Sequence, residues 1–466
     1  MKIFFTEKTN IFFKSIKNIL EQAWPILISQ WAGILFGFID TTMTGHISPA
    51  DLASMSLAVS INATVFVTLI GIMNSLIPIL SQSFGAKKYS DIGKYWGQGI
   101  WLAILISALG SLVMTRIDLW LSISGEINET LKYKICDYLK VLVFALPPLI
   151  IFRAVYILST SISKPKLVMI ISLFSILIKF ILNIIFIYGL LGFKSMGAIG
   201  AGLSTVIVSW MSLIMGIVII KNDDYYNKFN LHIALPNYKI IIELLKIGIP
   251  IGAAYLTEIL VFTFMALLIA REGDIITSGH QIMINLSSIC YMMPMAIAAA
   301  TSAVTGQSIG AKKYKYALIN GYSGLLLTLI GSIFTAILLI CFKNFIVNIY
   351  TNDSQIIKIA ISLIPILPVF HIIDSLHCLA SYLLRSYKII IVPFIIQSIC
   401  LGFIGVLGGW WFSFGPGLEN FIHIKNIILP NAPLGAGCMW IMSLLSLTIS
   451  SIILYFYYWI AVIKKT

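Results

Sequence analysis

Residues 82–89 read QSFGAKKY, and residues 307–314 read QSIGAKKY. Seven of the eight positions match, and the second copy lies 225 residues after the first. The same spacing carries Pro25 onto Pro250, each near the start of a long apolar run. A repeat of nearly half the chain constrains the architecture before any single residue is weighed. Both copies lie between apolar segments, so the repeating unit is itself a bundle of membrane helices.

Working outward, the composition agrees. Hydrophobic residues make up 59% of the chain and charged residues 11%, and the mean hydropathy is +0.98. A soluble domain carries about 25% charged residues. The 466 residues accommodate about a dozen spans of roughly 20 residues each. The apolar runs predict spans near 22–45, 53–80, 95–115, 135–162, 167–190, 197–220, 241–270, 278–305, 317–341, 357–384, 388–412 and 435–462. The fold class expected is an all-α integral membrane protein, with twelve transmembrane helices in two six-helix lobes related by a parallel internal repeat. Lys2, Lys8, Lys14 and Lys17 make the N-terminus basic, but no small-residue cleavage site follows them. The first span therefore reads as a retained helix.

A net charge of +13 raises the question of nucleic acid. The positions of the charges answer it. Basic residues gather in alternate loops, as at Lys87–Lys88, Lys164 and Lys166, Lys221 and Lys228, and Lys312–Lys313. The opposite loops hold scattered ones, such as Arg116, Lys194 and Arg271. This is the positive-inside bias of a membrane protein, and it puts both termini in the cytoplasm. The partner implied is a lipid bilayer, not nucleic acid. Six spans separate the two QSxGAKKY loops, so both face the cytoplasm and the halves run parallel, about an axis along the membrane normal. The division expected is an N-lobe at 1–222, a cytoplasmic linker at 223–237 and a C-lobe at 238–466.

Smaller features follow the same logic. The Lys pairs read as inner-face anchors, and Gly85 and Gly310 as the residues that permit tight turns. GAIGAGL at 197–203 and LGAGC at 434–438 open the sixth and twelfth spans; small residues there let helices approach closely. Prolines at 25, 78, 147, 148, 165, 250, 294, 365, 368 and 393 interrupt or bound several spans. The six cysteines contain no CxxC pair and read as small buried residues rather than a metal or disulfide framework.

Chemistry in such a chain belongs to ionisable residues inside the spans, where a charge costs on the order of 2.5–3.5 kcal/mol even on the lenient insertion scale. The acids are Asp40, Glu258 and Asp374, and the principal embedded cations are Arg153 and Lys179. Lys179 lies one helical turn before Asn183, so both share a face. Asp40 is the embedded acid of the same half, and a Lys179–Asp40 pair is expected. Glu258 and Asp374 share the other half, where two neighbouring carboxylates need a proton or a cation between them. His371, Asp374 and His377 follow H-x-x-D-x-x-H. On a helix the two histidines diverge by about 120°, which disfavours a metal site and leaves His371 as a modulator of Asp374 protonation.

These residues carry a resemblance. WPILIS at 24–29, GFIDTTMTG at 37–45, QSFGAKKY, IFIYG at 185–189, GIPIGAAYLTE at 248–258, HQIMINLSS at 280–288, MMPMAIAAA at 292–300, QSIGAKKY, IIDSL at 372–376 and LRSYK at 384–388 occur in the order found in multidrug and toxic compound extrusion (MATE) transporters. The chain resembles their NorM-like branch from about Pro25 to the last span. The resemblance implies two lobes around a central cavity, alternating access, and export of cationic or amphipathic drugs in exchange for Na⁺ or H⁺. It also implies that Glu258, Asp374 and Asp40 couple cation or proton movement, with Asn183 in support; Lys179, His371 and Asn285 are expected as further supporting polar residues of this sequence. No cofactor is implied beyond a Na⁺ at Glu258 and Asp374, and a monomer is expected. The sequence departs from the pattern at Lys179 (usually Asn), Phe370 (often Tyr), Val304 (often Arg) and Ser386 (usually Gly). The Lys179 change bears on the N-lobe site, because a fixed ammonium takes the place of a mobile cation. A flippase or exporter of a lipid-linked or metabolite cargo is the alternative. An enzyme is not expected, since no nucleophile and base cluster at a membrane face.

Overall fold

A computed structural model of the chain describes residues 2–121, 129–462 and 464. Among these residues every regular element is helical. The spans are α1 Asn10–Gly45, α2 Asp51–Gly85, α3 Tyr89–Thr115, α4 Glu129–Val143 plus Leu146–Ser161, α5 Lys166–Tyr188, α6 Gly197–Asn222, α7 Tyr238–Glu272, α8 Asp274–Gly310, α9 Tyr314–Cys341, α10 Ser354–Ser386, α11 Ile391–Ser413 and α12 Leu434–Ala461. They match the twelve apolar runs. The shortest continuous ones, of 23 residues, are about 35 Å long, enough to cross a hydrocarbon core of about 30 Å. Sequence reading missed the helix Leu418–Ile428 between α11 and α12.

The prolines act less uniformly than their number suggests. Pro25, Pro250 and Pro294 lie inside continuous helices. Pro147 and Pro148 open the second piece of α4, which bends by 43° from the first. Pro365 sits in a 3₁₀ turn within α10. A further irregularity has no proline. Residues Cys400–Gly408 of α11 form a π-helix, a rare form that often accompanies functional sites.

Contacts divide the chain into two compact units, Trp24–Ala253 and Met1–Ala23 with Ala254–Thr466. The 223–237 segment lies inside the first unit, and the boundary falls within α7. In the first unit α2, α3, α4 and α6 pack together, with α5 against α6. In the second the counterparts α8, α9, α10 and α12 pack together, with α11 against α12. The second unit also includes the start of α1, where Ser15 Oγ donates to Asn320 Oδ1 at 2.7 Å.

The spans wear their polarity inward. On α5, Ser175, Lys179 and Asn183 are buried at successive turns, while Ile170, Leu173, Leu177 and Ile181 are exposed. On α9, Asn320, Thr328 and Ser332 are buried, while Ile330, Ile333, Phe334 and Ile337 are exposed. Lipid chains compete equally well for apolar side chains, so packing within a membrane relies on small and hydrogen-bonding residues. Gly200 illustrates this: a Cβ there would stand 2.7 Å from the backbone of Phe186, so its absence lets α5 and α6 meet.

The repeat is also a repeat of turns, though not by the expected glycines. Gly85 and Gly310 are the last residues of their helices. The left-handed residues are Lys87 (φ 59°) and Lys312 (φ 57°). Lys88 N–H donates to Ser83 O and Lys87 N–H to Phe84 O; Lys313 N–H donates to Ser308 O and Lys312 N–H to Ile309 O. This is the Schellman pattern, with lysine where glycine is usual. A second pair shares the same spacing. Ser163 (φ 62°) ends α4 and Lys388 (φ 59°) ends α10, with the same two bonds at each.

Candidate cation site

In the first unit, α1 and α5 bring Asp40, Lys179 and Asn183 together. Lys179 Nζ lies 2.8 Å from Asp40 Oδ2, and Asn183 Nδ2 donates to Asp40 Oδ1 at 2.7 Å. The ammonium also donates to Ala201 O at 3.2 Å and to Thr205 Oγ1 on α6. An ammonium has three protons, and each finds an acceptor. Lys179 is 0% exposed, so it does not extend toward water. The expected pair is present, and the close approach of α5 and α6 at Gly200 brings the Ala201 carbonyl within reach.

In the second unit, Glu258 of α7 and Asp374 of α10 line one pocket. His377, Gln397 of α11 and Ser443 of α12 supply its other polar groups, and Phe370 and Leu401 are among its apolar walls. Its volume is about 20 Å³, room for one water or one bare ion, since a single water needs about 10–15 Å³. Two carboxylates lining so small a space are relieved by a positive charge or a proton between them. The pocket walls suit an ion or water on a second ground. His377 Nε2 is buried without a protein partner, and oxygen donors from Glu258, Asp374, Gln397 and Ser443 match the preference of hard cations. The π-helix of α11 begins between Gln397 and Leu401, both of which face this pocket.

The other residues expected here stand apart. His371 is buried, its Nε2 has no partner, and it does not line the pocket. Asn285 is exposed and accepts a bond from Tyr350 Oη at 2.7 Å. Phe370, at the place where tyrosine is frequent, packs edge-on against Trp440 at 5.2 Å. Among the described residues no cluster of three or more metal-ligating side chains occurs.

Arg385 falls just outside the predicted span 357–384 and is not among the expected site residues. The structure buries it in the last turn of α10, 8% exposed. Its Nη1 donates to Tyr255 Oη at 3.2 Å, and the guanidinium lies over the rings of Tyr255 and Tyr382, at 5.2 and 4.8 Å. The two tyrosine hydroxyls are 2.9 Å apart. The signal was available in the spacing: Asp374, His377, Cys378, Ser381 and Arg385 follow one helix face. Arg153 in the first unit is held similarly, 3.0 Å from Asn74 Oδ1 and 4.0 Å over Tyr156.

A family model described as MatE matches residues 25–185 and again residues 250–411. The chain belongs to the MatE family. The two matched segments keep the 225-residue spacing of the QSxGAKKY loops at their N-terminal ends. Among similar curated proteins, the "Probable multidrug resistance protein NorM" of Neisseria meningitidis serogroup B is 31% identical, over 88% of this chain and 90% of that protein. The "Multidrug resistance protein NorM" of Vibrio cholerae is 29% identical, over 95% and 94% respectively. Among solved structures, the eukaryotic MATE transporter AtDTX14 superposes with a TM-score of 0.86 at 19% identity, covering 96% of each chain. A point mutant of the Vibrio cholerae MATE transporter VcmN gives 0.85 at 15% identity, covering 98% of each. This MatE chain is therefore a multi-pass membrane protein with the MATE fold.

Proposed function

We propose that the protein exports cationic or amphipathic drugs across the bacterial inner membrane in antiport with Na⁺ or H⁺. The observation that carries this reading is the placement of Glu258 and Asp374 in one pocket sized for a single ion or water. The names of its NorM relatives support the drug cargo. Coupling follows if ion and cationic substrate bind with mutual penalty, so that an entering ion favours release of the drug. Alternating access then converts an ion gradient into export. In this reading the Lys179 ammonium occupies the charge role beside Asp40, which leaves Glu258 and Asp374 as the principal coupling pair. The charge bias between loops supports cytoplasmic termini, and the proposed working unit is a monomer.

The test is drug or dye efflux from everted vesicles, with a Na⁺ gradient and a pH gradient imposed separately. One of them should drive export in the wild type. Glu258→Gln and Asp374→Asn should each abolish coupled export while the protein still inserts. Wild-type coupling in both variants would overturn the assignment.

A further inference from the structure

The two units differ where their shared architecture predicts likeness. In the first, the segment after α6 folds back over the end of α2 and the start of α3. Phe229 meets Phe84 and Tyr89 at 6.1 and 5.6 Å between ring centres, and Lys228 Nζ stands 5.4 Å over Tyr89. Farther along, Trp101 Nε1 donates to Ala234 O at 2.8 Å, and Gln98 Nε2 to Leu235 O at 3.0 Å. Gly93 makes room for this cover, because a Cβ there would stand 2.3 Å from Phe229 O.

In the second unit the corresponding place is a cavity of about 600 Å³. Four spans end around it. Lys312 and Lys313 come from the α8–α9 turn, Lys315 and Tyr316 from the first turn of α9, Tyr387 from the end of α10, and Val462 from the end of α12. The lysines are exposed, and no carboxylate is among the described residues that line the cavity. Lys313 Nζ lies 5.6 Å over the Tyr316 ring. The sequence holds no Asp or Glu between Asp274 and Asp353, and none after Glu419. The positive charge of this cavity is therefore uncompensated by neighbours in sequence.

We propose that this cavity binds the headgroup of an anionic phospholipid. Its position at the ends of four spans places it at the depth of lipid phosphates, and basic pockets between helix ends suit such headgroups. Three ammonium groups recognise the phosphodiester. The aromatic rings of Tyr316 and Tyr387 suit the boundary between headgroup and acyl chain, and Val462 adds apolar wall. In the first unit the chain's own residues Lys228 and Phe229 lie over the repeat-related turn. The proposed lipid site lies in the second unit.

The test uses the full-length protein in neutral detergent, titrated with phosphatidylglycerol, with phosphatidylcholine of the same acyl chains, or with inorganic phosphate. Thermal unfolding midpoint and lipid retention in native mass spectrometry are read. Phosphatidylglycerol should raise the midpoint and be retained, and phosphatidylcholine should not. Lys312→Gln/Lys313→Gln/Lys315→Gln should weaken half-saturation by at least about ten-fold. Lys87→Gln/Lys88→Gln, at the repeat-related turn, should leave it unchanged. Lys315→Glu alone should also weaken binding. It is exposed, and an acid in the first turn of a helix favours folding, so misfolding does not explain a loss. The proposal is overturned if the basic-cavity variants keep wild-type affinity, if the Lys87/Lys88 variant loses as much, or if inorganic phosphate saturates the effect at similar concentration.

Discussion

Lys179 Nζ stands 2.8 Å from Asp40 Oδ2, with both residues buried. Removing one member leaves the other as an uncompensated buried charge, which costs about 3–5 kcal/mol. Lys179→Met and Asp40→Asn should each lower stability by about that amount. The double variant should recover most of the loss, and a double-mutant cycle on unfolding in detergent measures the coupling. Strictly additive single effects would refute the pair. In transport, Lys179→Asn should alter the ion requirement, and the effect of Asp40→Asn should depend on whether Lys179 is present.

Arg385 is held by geometry that lysine cannot copy. A guanidinium is planar, lies flat over aromatic rings and reaches a hydroxyl from its edge. Arg385→Lys keeps the charge but loses the contacts with Tyr255 and Tyr382. A stability loss of about 1–2 kcal/mol is expected, read as a lower thermal midpoint. Tyr255→Phe, which removes one acceptor, should cost about 1 kcal/mol. An unchanged midpoint in both would show that the cluster contributes nothing.

The left-handed lysines offer a gain. A non-glycine residue in this region costs roughly 1–2 kcal/mol. Lys87→Gly and Lys312→Gly should be neutral or stabilising by up to about 1 kcal/mol, whereas Lys312→Ile should be clearly destabilising. Thermal unfolding distinguishes them, and a midpoint that falls with glycine as far as with isoleucine would contradict the turn geometry.

Close approach at Gly200 is testable against a neutral control. Gly200→Ala pushes against the Phe186 backbone and should cost about 1–3 kcal/mol, as overpacking usually does. It should also loosen the contact of Lys179 with Ala201. Gly402→Ala meets nothing within 4 Å and should change little. Equal effects at the two sites would count against the α5–α6 account.

Topology has its own measurement. Single cysteines at Lys88 and Lys313, in a background without the six native thiols, should both react with an impermeant maleimide in everted vesicles and neither in right-side-out ones. Labelling from opposite sides would sink the parallel repeat.

Much of this was legible beforehand because a membrane simplifies the code. Spans must be long and apolar, so twelve could be counted, and embedded charges are few enough that Lys179 and Asp40 had little choice of partner. What escaped notice was local. The left-handed residue of each repeated turn fell on Lys87 and Lys312, where backbone bonding rather than residue preference decides. The π-helix of α11 has no distinctive composition. Arg385 fell just outside the predicted span because basic residues near span ends usually anchor a protein to its inner face, and its two tyrosines lie far away or on the preceding turn. Asn285 came from a motif, and a motif does not show that the side chain bonds to Tyr350 instead.

The bond between Ser15 and Asn320 joins residues 305 apart in the chain. A ribosome adds roughly 5–20 residues each second, so on the order of 15–60 s separate the synthesis of its two ends. For most of that interval the first helix exists without the surface that will hold its opening turns. Those turns are basic and partly apolar, and they must wait at the membrane or on an insertion factor. Maturation of the protein is thus timed by its last third, and a stalled or truncated chain would display an unsatisfied N-terminal helix for quality-control proteases to find.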